Sequence, residues 1–174
     1  MFVIGYPKSG NTWLCYLLSY CLNSEFDDYD QPGVHPKNSY EKKYVKGGFR
    51  HESYEFKYGK ILKTHKFKEG RHYNEPIIYL VRDGRDVMVS YFFYKRNIKI
   101  NNEGFIRKLI RKIRVLVSGE YIFSSFVRKY TGEWKDHLTI GTELNDAIIV
   151  KYEDMKKDTF KVLIYIFNRL NVEV

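Results

Sequence analysis

The chain has 174 residues, of which 44% are hydrophobic and 17% aromatic, enough apolar material for one domain with a real core and too much for a disordered chain. Its formal charge of +9 draws anions, but does not choose among a polyanionic nucleotide, an acidic substrate, nucleic acid and an anionic membrane. No charged-then-apolar leader precedes Phe2 and no apolar run reaches the roughly 18 residues of a membrane span, so the expectation is a cytoplasmic protein with no transmembrane segment.

Phe2 to Ile4 suits a short buried strand, and Thr12 to Leu22 carries the apolar run of a buried helix. Between them Tyr6-Pro7-Lys8-Ser9-Gly10-Asn11-Thr12-Trp13 sets backbone amides, a lysine and two hydroxyls around a space the size of a small anion. The first N–H groups of a helix lack internal partners and sit at the positive end of its dipole, so a phosphate gains hydrogen bonds and favourable charge there together. The same residue types also make an ordinary turn and N-cap. Gly5-x4-Gly10 nearly matches the nucleotide-triphosphate loop, but Asn11 stands where that loop needs its lysine, and the lysine sits inside the turn at Lys8. A lysine there can neutralise a shorter anion than a triphosphate, so a nucleotide bound without a metal is expected. Cys15 and Cys21 fall on different faces of the helix, which excludes a local bridge or a Cys-x-x-Cys metal pair and leaves them as buried apolar side chains.

Residues 23 to 59 are polar and show no sustained period, so they read as a long excursion with at most short helices. A second strand is predicted at Lys60 to Thr64 and a third at Pro76 to Val81, whose continuous apolar run suits a parallel sheet covered on both faces. In Lys63-Thr64-His65, strand alternation sends Lys63 and His65 to one side; a histidine there can take a proton from an attacking hydroxyl and the lysine can stabilise a leaving oxygen, or the two simply cap a loop and meet solvent. After the third strand come Arg82, Asp83 and, about two turns on, Ser90; the arginine fork and the serine hydroxyl suit a second phosphate. Asp83 reads as an N-cap or as the magnesium-holding acid of a triphosphate enzyme.

Helices are predicted over Val87 to Tyr94, Glu103 to Val117 and Glu120 to Asp136, a fourth strand at Ala147 to Tyr152, and a closing helix at Thr159 to Leu170. Within the second of these, Ile106, Leu109, Ile110 and Ile113 share a face opposite five basic residues, a pattern for core packing with a solvated basic face or for peripheral contact with an anionic membrane. His35, His51, His72 and His137 lack metal-ligand spacing, and no metal is expected. Strands alternating with helices give a single α/β domain over 1–174, a P-loop-like three-layer α/β/α arrangement with a central parallel sheet, binding at the carboxyl ends of its strands where Lys8, His65, Arg82 and Tyr152 fall.

Four segments in order, Tyr6 to Trp13, Lys63-Thr64-His65, Tyr79 to Tyr91 and Val150-Lys151-Tyr152-Glu153-Asp154-Met155, together resemble the cytosolic-type sulfotransferases over nearly the whole chain. The resemblance implies a sulfuryl donor, 3′-phosphoadenosine 5′-phosphosulfate, as co-substrate and no metal. It implies Lys8 on the bridging oxygen and sulfuryl group, Ser9, Gly10, Asn11 and Thr12 on the 5′-phosphate, Trp13 against adenine, Arg82 and Ser90 on the 3′-phosphate, Tyr152 enclosing the adenosine, and His65 as base. Gly132 to His137 resembles a Gly-x-Trp segment near the family's acceptor. The family usually adds an Arg-Lys-Gly loop on the 3′-phosphate, whereas this chain ends at Val174 without one, so weakened nucleotide binding in a truncated relative is one expectation.

The leading expectation is sulfuryl transfer to a hydroxyl or amine on a small molecule or glycan, with His65 as base and Lys8 and Lys63 stabilising the leaving oxygen. The rivals are a P-loop kinase or nucleotide hydrolase that uses magnesium, and a non-catalytic module that holds nucleotide. No aromatic-and-basic motif of a nucleic-acid reader occurs, so no nucleic-acid partner is expected. Acceptor identity and oligomeric state are left open.

Overall fold

A computed structural model describes residues 1–22, 24–30, 59–67, 73–101 and 105–172, with side chains described for all of these but 97–101 and 105–121. Most of the polar excursion, together with His35, His51 and His72 and the side chains of the basic amphipathic stretch, lies outside the described residues.

Among the described residues five parallel strands form one sheet in the order β2-β3-β1-β4-β5: β1 (Phe2–Ile4), β2 (Phe26–Asp28), β3 (Ile61–Thr64), β4 (Ile77–Val81) and β5 (Ile148–Lys151). The helices are α1 (Asn11–Cys21), α2 (Gly84–Asn101), α3 (Phe105–Thr142), α4 (Tyr152–Lys157) and α5 (Thr159–Leu170). The register sets Val3 beside both Lys63 and Ile78, and Ile78 beside Ile148, so side chains alternate in step across the sheet.

On one face Val3, Ile61, Ile78, Leu80, Ile148 and Val150 pack against α1 and α5 through Leu14, Leu18, Ile166 and Phe167. On the other, Phe2, Ile4, Ile77 and Tyr79 are covered by Leu138 of α3 and by Phe67 and Tyr73. This is a three-layer α/β/α architecture, and a sheet covered on both faces explains why β4 reads as an uninterrupted apolar run. A third cluster, Tyr6, Val87, Met88 and Tyr91 with Phe126, Tyr130 and Trp134, joins α2 to α3 above the strand ends.

Three elements differ from the expectation. β2 falls inside the supposed excursion, where Phe26-Asp27-Asp28 lacks β-propensity and is recruited as an edge by pairing with β3. The two helices predicted on either side of Ser118-Gly119 are one, α3, because a single helical glycine costs only about 1 kcal/mol and does not by itself end a helix. The chain also turns straight from β5 into α4 at Tyr152.

Gly141 lets α3 lie directly against the sheet, since a methyl group there would overlap the ring of Tyr79, which is 2% exposed. Alanine ordinarily gains roughly 1 kcal/mol over glycine inside a helix, but overpacking a rigid ring costs about 1–3 kcal/mol or more. Gly141→Ala is therefore expected to lower the thermal midpoint by several degrees; an unchanged midpoint would show that the ring can move aside.

Candidate active site

The strand order reverses between β1 and β4, because the chain first fills one side of β1, with β2 at the edge and β3 inserted between, and then builds outward on the other side through β4 and β5. A crevice at such a switch point, beyond the carboxyl ends of the strands, is where open parallel sheets bind ligands. The Gly5–Gly10 turn after β1 and Arg82 after β4 both lie there, and Arg82 Nη1 donates to the Lys8 carbonyl at 3.0 Å.

The turn is held in an unusual shape. Lys8 has φ 72° and Gly10 φ 103°, with Ser9 N–H returning to Tyr6 O at 3.1 Å. Only glycine tolerates position 10, where a Cβ would stand 2.7 Å from the Tyr152 ring and the backbone is left-handed. The first intrahelical bond of α1 runs from Leu14 N–H to Gly10 O at 3.1 Å, so helix geometry leaves the N–H groups of Asn11, Thr12 and Trp13 without intrahelical acceptors. Gly10, the N-cap, supplies no side-chain cap.

Asn11, expected on phosphate, spends its side chain differently. Its Nδ2 donates to Gly5 O at 3.0 Å and to Thr64 O at 3.3 Å, which clasps the turn to the end of β3 and leaves only its main-chain N–H for an anion. Ser9 is buried, and Thr12 is half-buried beside Trp13. Trp13, 36% exposed, meets Tyr152 edge-on at 5.7 Å, and the Arg82 guanidinium lies 4.2 Å over the Tyr152 ring. Arg82 Nε is a buried donor with no partner among the described residues. Ser90 lies half-buried on α2.

Lys8 Nζ sits 4.6 Å over the Tyr94 ring. Burial, and then the neighbouring Arg82 charge, lower its pKa from the ordinary lysine value. Two cations drawn together and partly stripped of water are an arrangement that an anion would stabilise.

His65 is the first residue beyond β3. Its Nδ1 is 2.7 Å from Gly5 O, and since a carbonyl only accepts, Nδ1 carries the hydrogen. The approach of Asn11 Nδ2 to the same nitrogen at 3.4 Å is then a contact between two donors and no hydrogen bond. Burial lowers the His65 pKa most strongly, with the nearby Lys63 charge in the same direction and the Gly5 bond, Asp28 and Asp30 opposing it. A neutral ring protonated at Nδ1 has its lone pair on Nε2, the state a general base needs.

Lys63 is engaged with a partner that sequence reasoning missed: its Nζ is 2.7 Å from Asp28 Oδ2, and the side chains are 7% and 11% exposed. Asp30 also escaped notice, yet its Oδ2 accepts from Thr64 Oγ1 at 3.0 Å and from His65 N–H at 3.1 Å. Neither aspartate carried a signal, for both sit in an acidic, aperiodic stretch. Asp83 is a cap, as the duller of its two readings has it: Oδ1 accepts from Arg85 N–H at 2.8 Å, Oδ2 pairs with Arg85 Nη2 at 2.7 Å, and these bonds hold its pKa down at about 2.

Two hollows adjoin this crevice. One of about 380 Å³ is lined by Arg82, Asp86, Tyr152, Glu153, Lys156 and Lys157. The other, about 690 Å³ and mostly apolar, lies between α2 and α3 with Met88, Val89, Phe123, Val127 and Trp134 on its walls. Among the described residues no helix is long and apolar enough to cross a membrane.

The Gly5–Gly10 turn, Lys8, Arg82 and His65 thus meet at the switch point of a parallel α/β sheet. The sulfotransferase domain model matches residues 1–173, and the chain belongs to that family. It is 27% identical over 175 residues to mouse (Mus musculus) sulfotransferase 2A6, an alignment covering 91% of this chain and 54% of that protein. Against luciferin sulfotransferase of Photinus pyralis it is 31% identical over 87 residues, 50% of this chain and 21% of the other. The structure of mouse sulfotransferase SULT7A1 complexed with PAP superposes with a TM-score of 0.59 at 18% identity, covering 100% of this chain and 58% of that one, a likeness of fold. The chain spans about half the length of the curated relatives it matches.

Proposed function

We propose that this chain carries the donor-binding and base-bearing part of a sulfotransferase that moves a sulfuryl group from 3′-phosphoadenosine 5′-phosphosulfate to a hydroxyl of a small acceptor. The observation that carries the reading is the meeting of Lys8, Arg82 and a neutral His65 at the β1/β4 crevice. The residues present fit the donor: amides of the α1 N-terminus and Lys8 for the 5′-phosphosulfate, Arg82 with its orphaned buried Nε and Ser90 for the 3′-phosphate, and Trp13 and Tyr152 for adenine.

In this reading His65 Nε2 takes the acceptor proton as the acceptor oxygen forms its bond to sulfur and the bond from sulfur to the phosphate oxygen breaks. Lys8 stabilises the charge that grows on that departing oxygen. Lys63 is the second cation, its ammonium held by Asp28 Oδ2 at 2.7 Å. Lys156 and Lys157, on the wall of the 380 Å³ hollow, add positive charge near the 3′-phosphate. The apolar hollow between α2 and α3 suits the body of an aromatic or aliphatic alcohol. The capping role of Asp83 and the asparagine at position 11 favour this reading over a magnesium-dependent kinase.

Calorimetry with adenosine 3′,5′-bisphosphate tests it first. Binding is expected, and Lys8→Ala should weaken it by about 10–100-fold, the worth of one charge-assisted hydrogen bond. Incubation with sulfur-labelled donor and a panel of phenols, alcohols and glycans, read by mass spectrometry, tests transfer. Binding without any product would leave a nucleotide-holding module; no binding would remove the proposal.

A further inference from the structure

We infer that His137 is a positioning residue for His65, tying the main chain of the proposed base to the middle of the sheet through the Tyr79 hydroxyl; this rests on the reading of His65 given above. β3 ends at Thr64, so no strand ladder fixes the peptide groups of residue 65. Buried backbone donors and acceptors still need partners. Side chains supply both: Asp30 accepts the His65 N–H at 3.1 Å, and His137 Nε2 lies 3.2 Å from His65 O, a link across 72 positions of sequence.

The tautomer follows from the partners. His65 O only accepts, so His137 Nε2 bears the hydrogen, and Nδ1 is left to accept from the Tyr79 hydroxyl at 2.9 Å. The His137 carbonyl is 2.9 Å from the same hydroxyl, so the single phenolic hydrogen is shared between two acceptors of residue 137, ring Nδ1 and main-chain O. The imidazole is stacked on Tyr79 at 5.7 Å and packed against Phe67 at 4.5 Å, with Tyr6 edge-on at 5.6 Å. Burial holds the His137 pKa down at about 4, so the neutral form with one donor and one acceptor persists at neutral pH. Three bonds in series, Tyr79 to His137, His137 to the His65 carbonyl, and His65 to Gly5, connect β4, α3, the end of β3 and the Gly5–Gly10 turn, whose Lys8 carbonyl is held by Arg82. The direction of the His65 ring therefore depends on a residue that stands one layer behind it.

Misplacement of a catalytic group by about 1 Å can cost up to about 100-fold in rate. His137→Leu keeps the apolar packing but removes the donor to His65 O. With 4-nitrophenol as acceptor, its kcat is expected to fall about 10–100-fold, with KM and the affinity for adenosine 3′,5′-bisphosphate little changed. His137→Gln, whose amide N–H can replace the Nε2 donor, should recover much of the loss at a similar thermal midpoint. Independently of turnover, ¹⁵N NMR of the His65 ring should show the Nδ1–H tautomer in the wild type and a mixture of tautomers in His137→Leu. A protein that transfers no sulfuryl group would overturn the function proposed above, while the NMR comparison would still decide this inference. A His65 ring unchanged by His137→Leu would overturn it, as would a wild-type kcat in that variant or a Gln variant no better than Leu.

Discussion

His65→Ala is expected to cut turnover by about 10²–10⁴-fold, the usual worth of a positioned general base, with adenosine 3′,5′-bisphosphate binding kept within a few fold. Binding survives because the cradle is built from the α1 N-terminus, Lys8 and Arg82, and the turn stays clasped by Asn11 through Gly5 O and Thr64 O. The pH profile carries a second signature. The His65 pKa is lowered chiefly by burial, so the free base is the dominant form at pH 7 and is lost only as pH falls through a value below the ordinary 6.5. The acid limb of kcat/KM should therefore lie below 6.5; a limb above it, or normal turnover by the alanine variant, would remove His65 as the base.

Stability should follow the same sign. His65 and His137 are both held neutral in the folded chain, the second at about 4, whereas the unfolded chain titrates near 6.5. Below 6.5 the unfolded state binds protons that the folded state refuses, so the stabilisation is complete above that pH and is lost progressively as pH falls toward 4.

The parts of the molecule legible in sequence are those whose partners are close in the chain or whose chemistry is local. The run Ile77 to Val81, the strand at Ile61–Thr64 and the helix Thr159–Leu170 announce themselves by apolar pattern, and α5 begins where Asp158 accepts from Lys161 N–H at 3.0 Å. The Tyr6 to Trp13 turn is legible for the same reason, since glycine, proline and a helix start are all local signals. What escaped is what only the fold brings together. Asp30 reaches Thr64 Oγ1 across 34 positions and His137 reaches His65 across 72, and neither residue has a neighbour in sequence that hints at its partner. β2 is the extreme case, with two aspartates in three residues. As a strand it makes sense only once β3 lies beside it and Lys63 stands opposite Asp28.

That pairing yields the largest stability effect expected in the molecule. Asp28→Ala would leave the Lys63 ammonium nearly buried without its carboxylate, and breaking a buried pair from one side costs about 3–5 kcal/mol. In a chain of this size that lowers the thermal midpoint by roughly 10 °C or more. Lys63→Met should also be damaging, because it removes the ammonium from a nearly buried carboxylate and leaves the Asp30 N–H bond to Oδ1 at 3.0 Å in place. The double variant Lys63→Met/Asp28→Leu replaces both charges by apolar volume and is expected to regain most of the midpoint, since a well-packed apolar pair is often as stable as the ion pair it replaces. Calorimetric midpoints of the three variants measure this, and turnover separates the two roles of Lys63. If its ammonium also meets the departing oxygen, the double variant will be folded and slow, with kcat down by about 10–100-fold. A folded double variant with normal kcat would confine Lys63 to holding β2 against β3.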